Sequence, residues 1–366
     1  MHQKAGSKAA PKGIEGSNFS WLRLDHRGRT AAISSDAMNG TPIPLTASAG
    51  LDFKDRRTGL IIFGILEILL GGLAALMILL MIFAQVMAAK ATQEPTPLRQ
   101  MIPGLVFYAI VAVVLIALGI GSCQTRRWAR ALSLLVAWSW LAMGVISMVA
   151  MAFFLPSILN APQAQGQKLP ESARLVVMLV SMIFMGILFL AVPGVLVLFY
   201  QSRHVKATCE TRDPSPRWTD ACPLPVLGLS LWLGFGAVSM LTLPISIRGV
   251  IPVFGRLLSG VGGSLCCVGL AVLWAYSAWA VYQLRVVGWW IVLSSLCVMA
   301  ASAWITFTQI DLLETYRVMG YPEKQIEVMK QFSFIHRHGM AYFSVAGAIP
   351  MLGLLLFVKR YFRHPA

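Results

Sequence analysis

Eight long apolar runs, separated by short charged connectors, fill residues 59 to 358. A hydrocarbon core of roughly 30 Å takes about 20 helical residues to cross, and each run is near or above that length. Lipid offers the backbone no water to bond, so each run must satisfy its own peptide groups as a helix. A β-barrel would need short alternating segments, which the sequence lacks. Composition agrees: 57% hydrophobic residues, 12% charged and a mean hydropathy of +0.71 lie outside the range of water-soluble domains. The expected fold class is an all-α integral membrane protein with about eight transmembrane helices, near 59–89, 101–123, 130–155, 173–201, 223–247, 255–282, 287–309 and 339–358. The fifth and sixth runs meet around Pro244, Arg248 and Pro252, as a tight turn or a re-entrant piece, so seven spans is the competing count.

Orientation follows from the cations, because basic loops are retained on the cytoplasmic side. Of the 30 Lys and Arg residues, 20 fall on one side. They include Arg126, Arg127 and Arg130 in one short connector, Arg203, Lys206, Arg212 and Arg217 in another, and Lys359, Arg360 and Arg363 at the end. Both termini are therefore expected in the cytoplasm of a cell membrane, here a bacterial inner membrane. The net charge of +15 reads as this topological signal plus attraction to anionic headgroups, and with no recognition fold present no nucleic-acid partner is expected.

The sequence divides into a disordered cytoplasmic segment 1–58, a first four-helix unit 59–201, a cytoplasmic linker 202–222, a second four-helix unit 223–358 and a basic tail 359–366. Met38 is an alternative start to Met1, and no basic region followed by a short apolar one marks a signal peptide.

Polar punctuation relates the two units. Gln124 and Arg126 precede the third span as Gln283 and Arg285 precede the seventh; Pro193 lies ten residues before Arg203 as Pro350 lies ten before Arg360. With an even number of spans in each, two copies would insert in the same sense, as parallel repeats. Pro193 and Pro350 should then kink matching helices. Such kinks line a substrate site in a transporter and otherwise only shape packing.

Glu67 is the one acidic residue well inside a span, about 10 Å past Leu60 at 1.5 Å per residue. Helical spacing puts it on one face with Gly64, Gly71, Ala74 and, further on, Gln85. Small residues mark the side where neighbouring helices approach. Glu67 should therefore face the bundle, where an ionised carboxylate costs several kcal/mol unless paired or protonated. Glu67 and Gln85 are the candidate buried polar or relay residues; the simpler expectation for Glu67 is a bond to a nearby Ser or Trp.

A ladder of Gly255, Ser259, Gly260, Gly263, Ser264 and Cys267 gives the sixth span a close-packing seam, within the bundle or toward a partner membrane protein or second copy. Trp138, Trp140, Trp274 and Trp304 are expected in the core. The connector 310–338 reads as two short amphipathic helices, 311–319 and 323–334, broken at Gly320. The six cysteines sit in or beside spans or in the 202–222 connector, Cys209 and Cys222 match no metal-knuckle spacing, and His336 and His338 point to different helical faces. No cofactor or metal centre is indicated. Intramembrane catalysis would need converging His, Asp, Glu or Ser. The expected function is a non-catalytic membrane component or scaffold in the lipid bilayer; the alternative is a transporter of a small solute or ion using Glu67 and the proline-kinked helices.

Overall fold

The computed structural model describes residues 54–91, 101–160, 170–321, 323, 326, 327 and 339–362. Eight of its helices are long and apolar enough to cross a membrane, so the chain is an all-α multi-pass membrane protein. In chain order they are α1 (Arg57–Ala91), α2 (Ile102–Cys123), α3 (Arg127–Asn160), a fourth span made of α4 (Glu171–Gly186), a π-helical turn (Ile187–Ala191) and α5 (Val192–Gln201), then α7 (Leu224–Ser246), α8 (Gly260–Tyr282), α9 (Val286–Gln309) and α11 (Gly339–Val358). Two short helices, α6 (Arg203–Arg212) and α10 (Leu312–Met319), lie in connectors. Pro103 and Pro225 stand in the first turns of α2 and α7, where a missing N–H costs nothing.

Each half packs alike: its first two helices form a close hairpin, the third contacts the second, and the last lies against the third. In the first hairpin the expected face of α1 meets α2. A side chain on Gly64 would strike Gly119 O and Cys123, one on Gly71 would strike Ile116, and Glu67 and Ala74 are buried between and beyond them. The backbones approach this closely because both sides are small. The halves meet through α2, α3 and α7, where Phe107 stands edge-on to Phe235 at 6.1 Å and Trp232 Nε1 donates to Ser139 Oγ at 2.9 Å.

The landmarks Gln124–Arg126 and Gln283–Arg285 form the same turn. Thr125 and Leu284 take left-handed φ of 57° and 56°. Around them Thr125 N donates to Ser122 O and Arg126 N to Gly121 O, as Leu284 N donates to Val281 O and Arg285 N to Ala280 O. Both are Schellman stops, which satisfy the last carbonyls of a helix while reversing the chain. Beneath each turn a small pair lets the next helix close in: Gly121 on Ala129 in the first half, Ala280 on Gly288 in the second.

The junction before the sixth span is neither a simple turn nor a re-entrant piece. Ile251–Val253 pairs antiparallel with Arg256–Leu258 in a two-stranded hairpin, turned by Phe254 and Gly255 at φ of 47° and 76°. Two successive positive φ values make the hairpin-type reversal whose twist matches its strands. Gly255 and Ser259 therefore lie outside α8, and its seam begins at Gly260. Gly263 and Cys267 are buried, Gly263 against the Gly249 carbonyl that follows α7, so this part of the seam is filled within the chain.

Other placements differ from expectation. Trp138 and Trp304 are exposed on the outer surface rather than in the core, where a lipid-facing side tolerates a large apolar ring; Trp140 packs beside the first-half core. The linker 202–222 is structured, the tail continues as a 3₁₀ turn, Lys359–Phe362, with Phe362 buried, and Asp55 to Arg57 join the fold. The helix read at 311–319 is present as α10, its first turn capped by the Asp311 carboxylate and its end by Gly320 at φ 84°. Residues 1–53, most of the second amphipathic segment and His336 and His338 lie outside the described residues.

Candidate functional site

Glu67 is 4% exposed and sits among three hydroxyls brought in by other helices: Ser122 at the end of α2, Ser133 in the second turn of α3 and Tyr200 at the end of α5. Ser122 Oγ donates to Glu67 Oε2 at 3.2 Å and lies 3.1 Å from Tyr200 Oη. Because Ser122 has one proton and gives it to the carboxylate, Tyr200 is the donor in the second contact. Ser133 Oγ lies beside both Glu67 and Tyr200, yet it is buried and meets no partner in hydrogen-bonding geometry. Among the described residues no basic side chain forms an ion pair with Glu67.

Apolar groups seal the cluster. Leu60, Leu134, Ala137, Leu196 and Val197 pack around Tyr200, with Phe63 and Phe199 against its ring. Val205 and Cys209 of α6 complete this shell, so the helix in the connector covers the end of the first half.

Ion pairs hold that cover in place. Arg212 Nη2 reaches Asp55 Oδ2 at 2.9 Å, Arg127 lies 3.5 Å from Glu210 and 3.7 Å from Asp220, and Arg217 Nη2 meets Asp213 Oδ1 at 2.8 Å. Asp213 also accepts from Arg127 N and from Ser215, and Arg56 N donates to Thr208 Oγ1 on α6. The Arg217 guanidinium holds the Asp213 carboxyl at about 2, below its ordinary 3.8, and Arg212 lowers Asp55. A depressed carboxyl adds stability above its unfolded pKa and loses it as pH falls through the folded one. The cover's contribution from Asp213 should thus be complete above pH 3.8 and vanish toward about 2. Amide-exchange protection of α6, corrected for intrinsic rates, should fall across that window and be flat between pH 5 and 7. Burial pushes the Cys209 thiol up to about 11. At pH 7.5 it should resist maleimide in the parent chain and react several-fold faster after Asp213→Asn; equal rates would mean that the ion pairs do not hold α6 down.

The other candidates do not join the cluster. Gln85 is half-buried on α1, about 27 Å further along the helix axis. Pro193 is buried, just after the π-turn: it has no N–H for the Phe189 carbonyl one turn earlier, and Gly144 of α3 closes on that oxygen. Pro350 lies on the exposed side of α11, which stays α-helical. Pro193 is thus turned into the bundle and Pro350 away from it, so the two do not face one site. Among the described residues no three His, Cys, Asp or Glu side chains converge as metal ligands.

Sequence reading found Glu67 and its buried face but not Ser122, Ser133, Tyr200 or the ion-paired cover. One signal for the two serines was present. The register that sets Gln124 on Gln283 and Arg126 on Arg285 sets Ser122 on Val281 and Ser133 on Val292, and both valines are buried in the apolar core of the second half. No protein-family model, curated protein or solved structure matches this chain.

Proposed function

We propose that this chain is a non-catalytic component of a cell membrane, a bacterial inner membrane, with both termini in the cytoplasm. The carrying observation is that the one carboxylate deep in a span is turned into the packing of the first half: Glu67, Ser122, Ser133 and Tyr200 are each 4% exposed or less and lie under α6. Such a cluster ties α1, α2 and α5 together through hydrogen bonds and is closed over by α6. A partner membrane protein would meet the broad apolar outer faces, such as Val261, Leu265 and Val272 on α8, since Gly263 and Cys267 of the seam are already covered.

Extraction into lipid nanodiscs without detergent tests this reading. A particle heavier than the 40.0 kDa chain, with a second protein or second copy in fixed ratio, is expected. A lone chain that carries ions or solutes across proteoliposomes would overturn it. The orientation has its own check: cysteines placed at Gln124 and Gln283 should label from the cytoplasmic side and one at Phe254 from the opposite side. Labelling of all three from one side would end the eight-span arrangement. The transporter alternative is favoured by the buried, unpartnered Ser133 hydroxyl beside a carboxylate.

A further inference from the structure

We propose that Glu67, Ser122, Ser133 and Tyr200 enclose a binding site for one small monovalent cation of the sodium class. The second half of the chain is the internal control. It forms the same Schellman turn and the same helix pairings, and it fills the positions of Ser122 and Ser133 with Val281 and Val292. Packing at those two positions is thus solved by valine, an apolar side chain one heavy atom larger than serine and without a polar atom. Hydroxyls there, with a carboxylate opposite, raise the desolvation cost of the first half unless they hold something the second half does not.

The donor set specifies what that is. A carboxylate and neutral hydroxyl oxygens are ligands for hard cations. One carboxylate with no basic partner gives the cluster a single negative charge, which one monovalent ion neutralises and a divalent ion would overshoot. Ser133 Oγ, enclosed and without a partner, supplies the free lone pairs. Ser122, already bonded to Glu67 and Tyr200, sets the positions of those two oxygens around it. The cover formed by α6 makes this a closed site on the ion-paired side of the bundle. The inference is independent of the proposed function, since a membrane component and a transporter can each hold a resident ion.

The test is thermal unfolding of the full chain in nanodiscs at constant ionic strength, with sodium replaced by N-methylglucamine. A ligand that binds only the folded state raises Tm with the logarithm of its concentration above Kd. Sodium should do so, potassium less, and calcium no more than potassium. Ser133→Ala, which removes only the hydroxyl, should keep the sodium-free Tm and lose the sodium increment; Glu67→Gln should lose the increment as well. Equilibrium binding of radioactive sodium to the parent chain, near one ion per chain, supports the site whether or not a variant folds. A Tm indifferent to sodium, an increment that survives both substitutions, or a response to pH alone, meaning that a proton takes the place, would each overturn the proposal.

Discussion

Glu67→Leu is expected to destabilise the first half by about 1–3 kcal/mol, because it strips the acceptor from the buried Ser122 hydroxyl. The informative comparison is the triple variant Glu67→Leu, Ser122→Val, Ser133→Val. It rebuilds in the first half the apolar surface that Val281 and Val292 give the second, so most of the loss should return. Removing all members of a buried polar group costs far less than removing one, since no orphaned donor remains. Tyr200 keeps its hydroxyl in this design, and adding Tyr200→Phe should recover about 1 kcal/mol more. Unfolding monitored by tryptophan emission in nanodiscs would measure the series. A triple variant no more stable than Glu67→Leu alone would show that the halves are not interchangeable at these positions.

Gly119→Val should be among the most damaging single changes in the membrane region. A Cβ at Gly119 would run into the Gly64 carbonyl and the Ile68 backbone, neither of which can swing aside as a side-chain tip can. Overpacking of a fixed contact costs typically about 1–3 kcal/mol even where neighbours can relax, and here the two helices must separate along a glycine-lined seam. The loss should exceed that range and lower the yield of folded protein. Gly72 is the matched control on the same helix pair: nothing lies within 4 Å of a Cβ built there, so Gly72→Ala should be neutral or slightly stabilising. Folded yield after extraction, with proteolysis between α1 and α2 as a readout of hairpin opening, separates the two.

What the sequence disclosed and what it hid divide along physical lines. Long apolar runs and cation placement are local properties, and they located all eight helices within a few residues. The buried face of α1 was legible because Gly64, Glu67, Gly71 and Ala74 recur at helical spacing. Ser122 and Ser133 were not, since a serine in a membrane helix most simply bonds its own preceding turn, as Ser246 and Ser277 do here. Only the meeting of four helices distinguishes the two serines. Pro193 and Pro350 look equivalent in the chain, yet helical phase buries one and exposes the other. The cover was hidden because its ion pairs join Asp55 to Arg212 and Arg127 to residues beyond 209, across the whole first half. The start of the sixth span was misplaced because Phe254-Gly255 lacks the Asn-Gly or Asp-Gly pair that announces such a turn.

The two Schellman reversals also bear on how the protein is made. Only three residues, Gln124–Arg126, separate α2 from α3, and only Gln283–Arg285 separate α8 from α9. With so little slack, the second helix of each pair cannot wait outside the bilayer while the first settles. Each pair is expected to enter lipid as a hairpin, since the bonds that close its turn lie within the pair alone. The connectors thus make α2 with α3 and α8 with α9 the natural units of insertion, against which α1 and α7 pack.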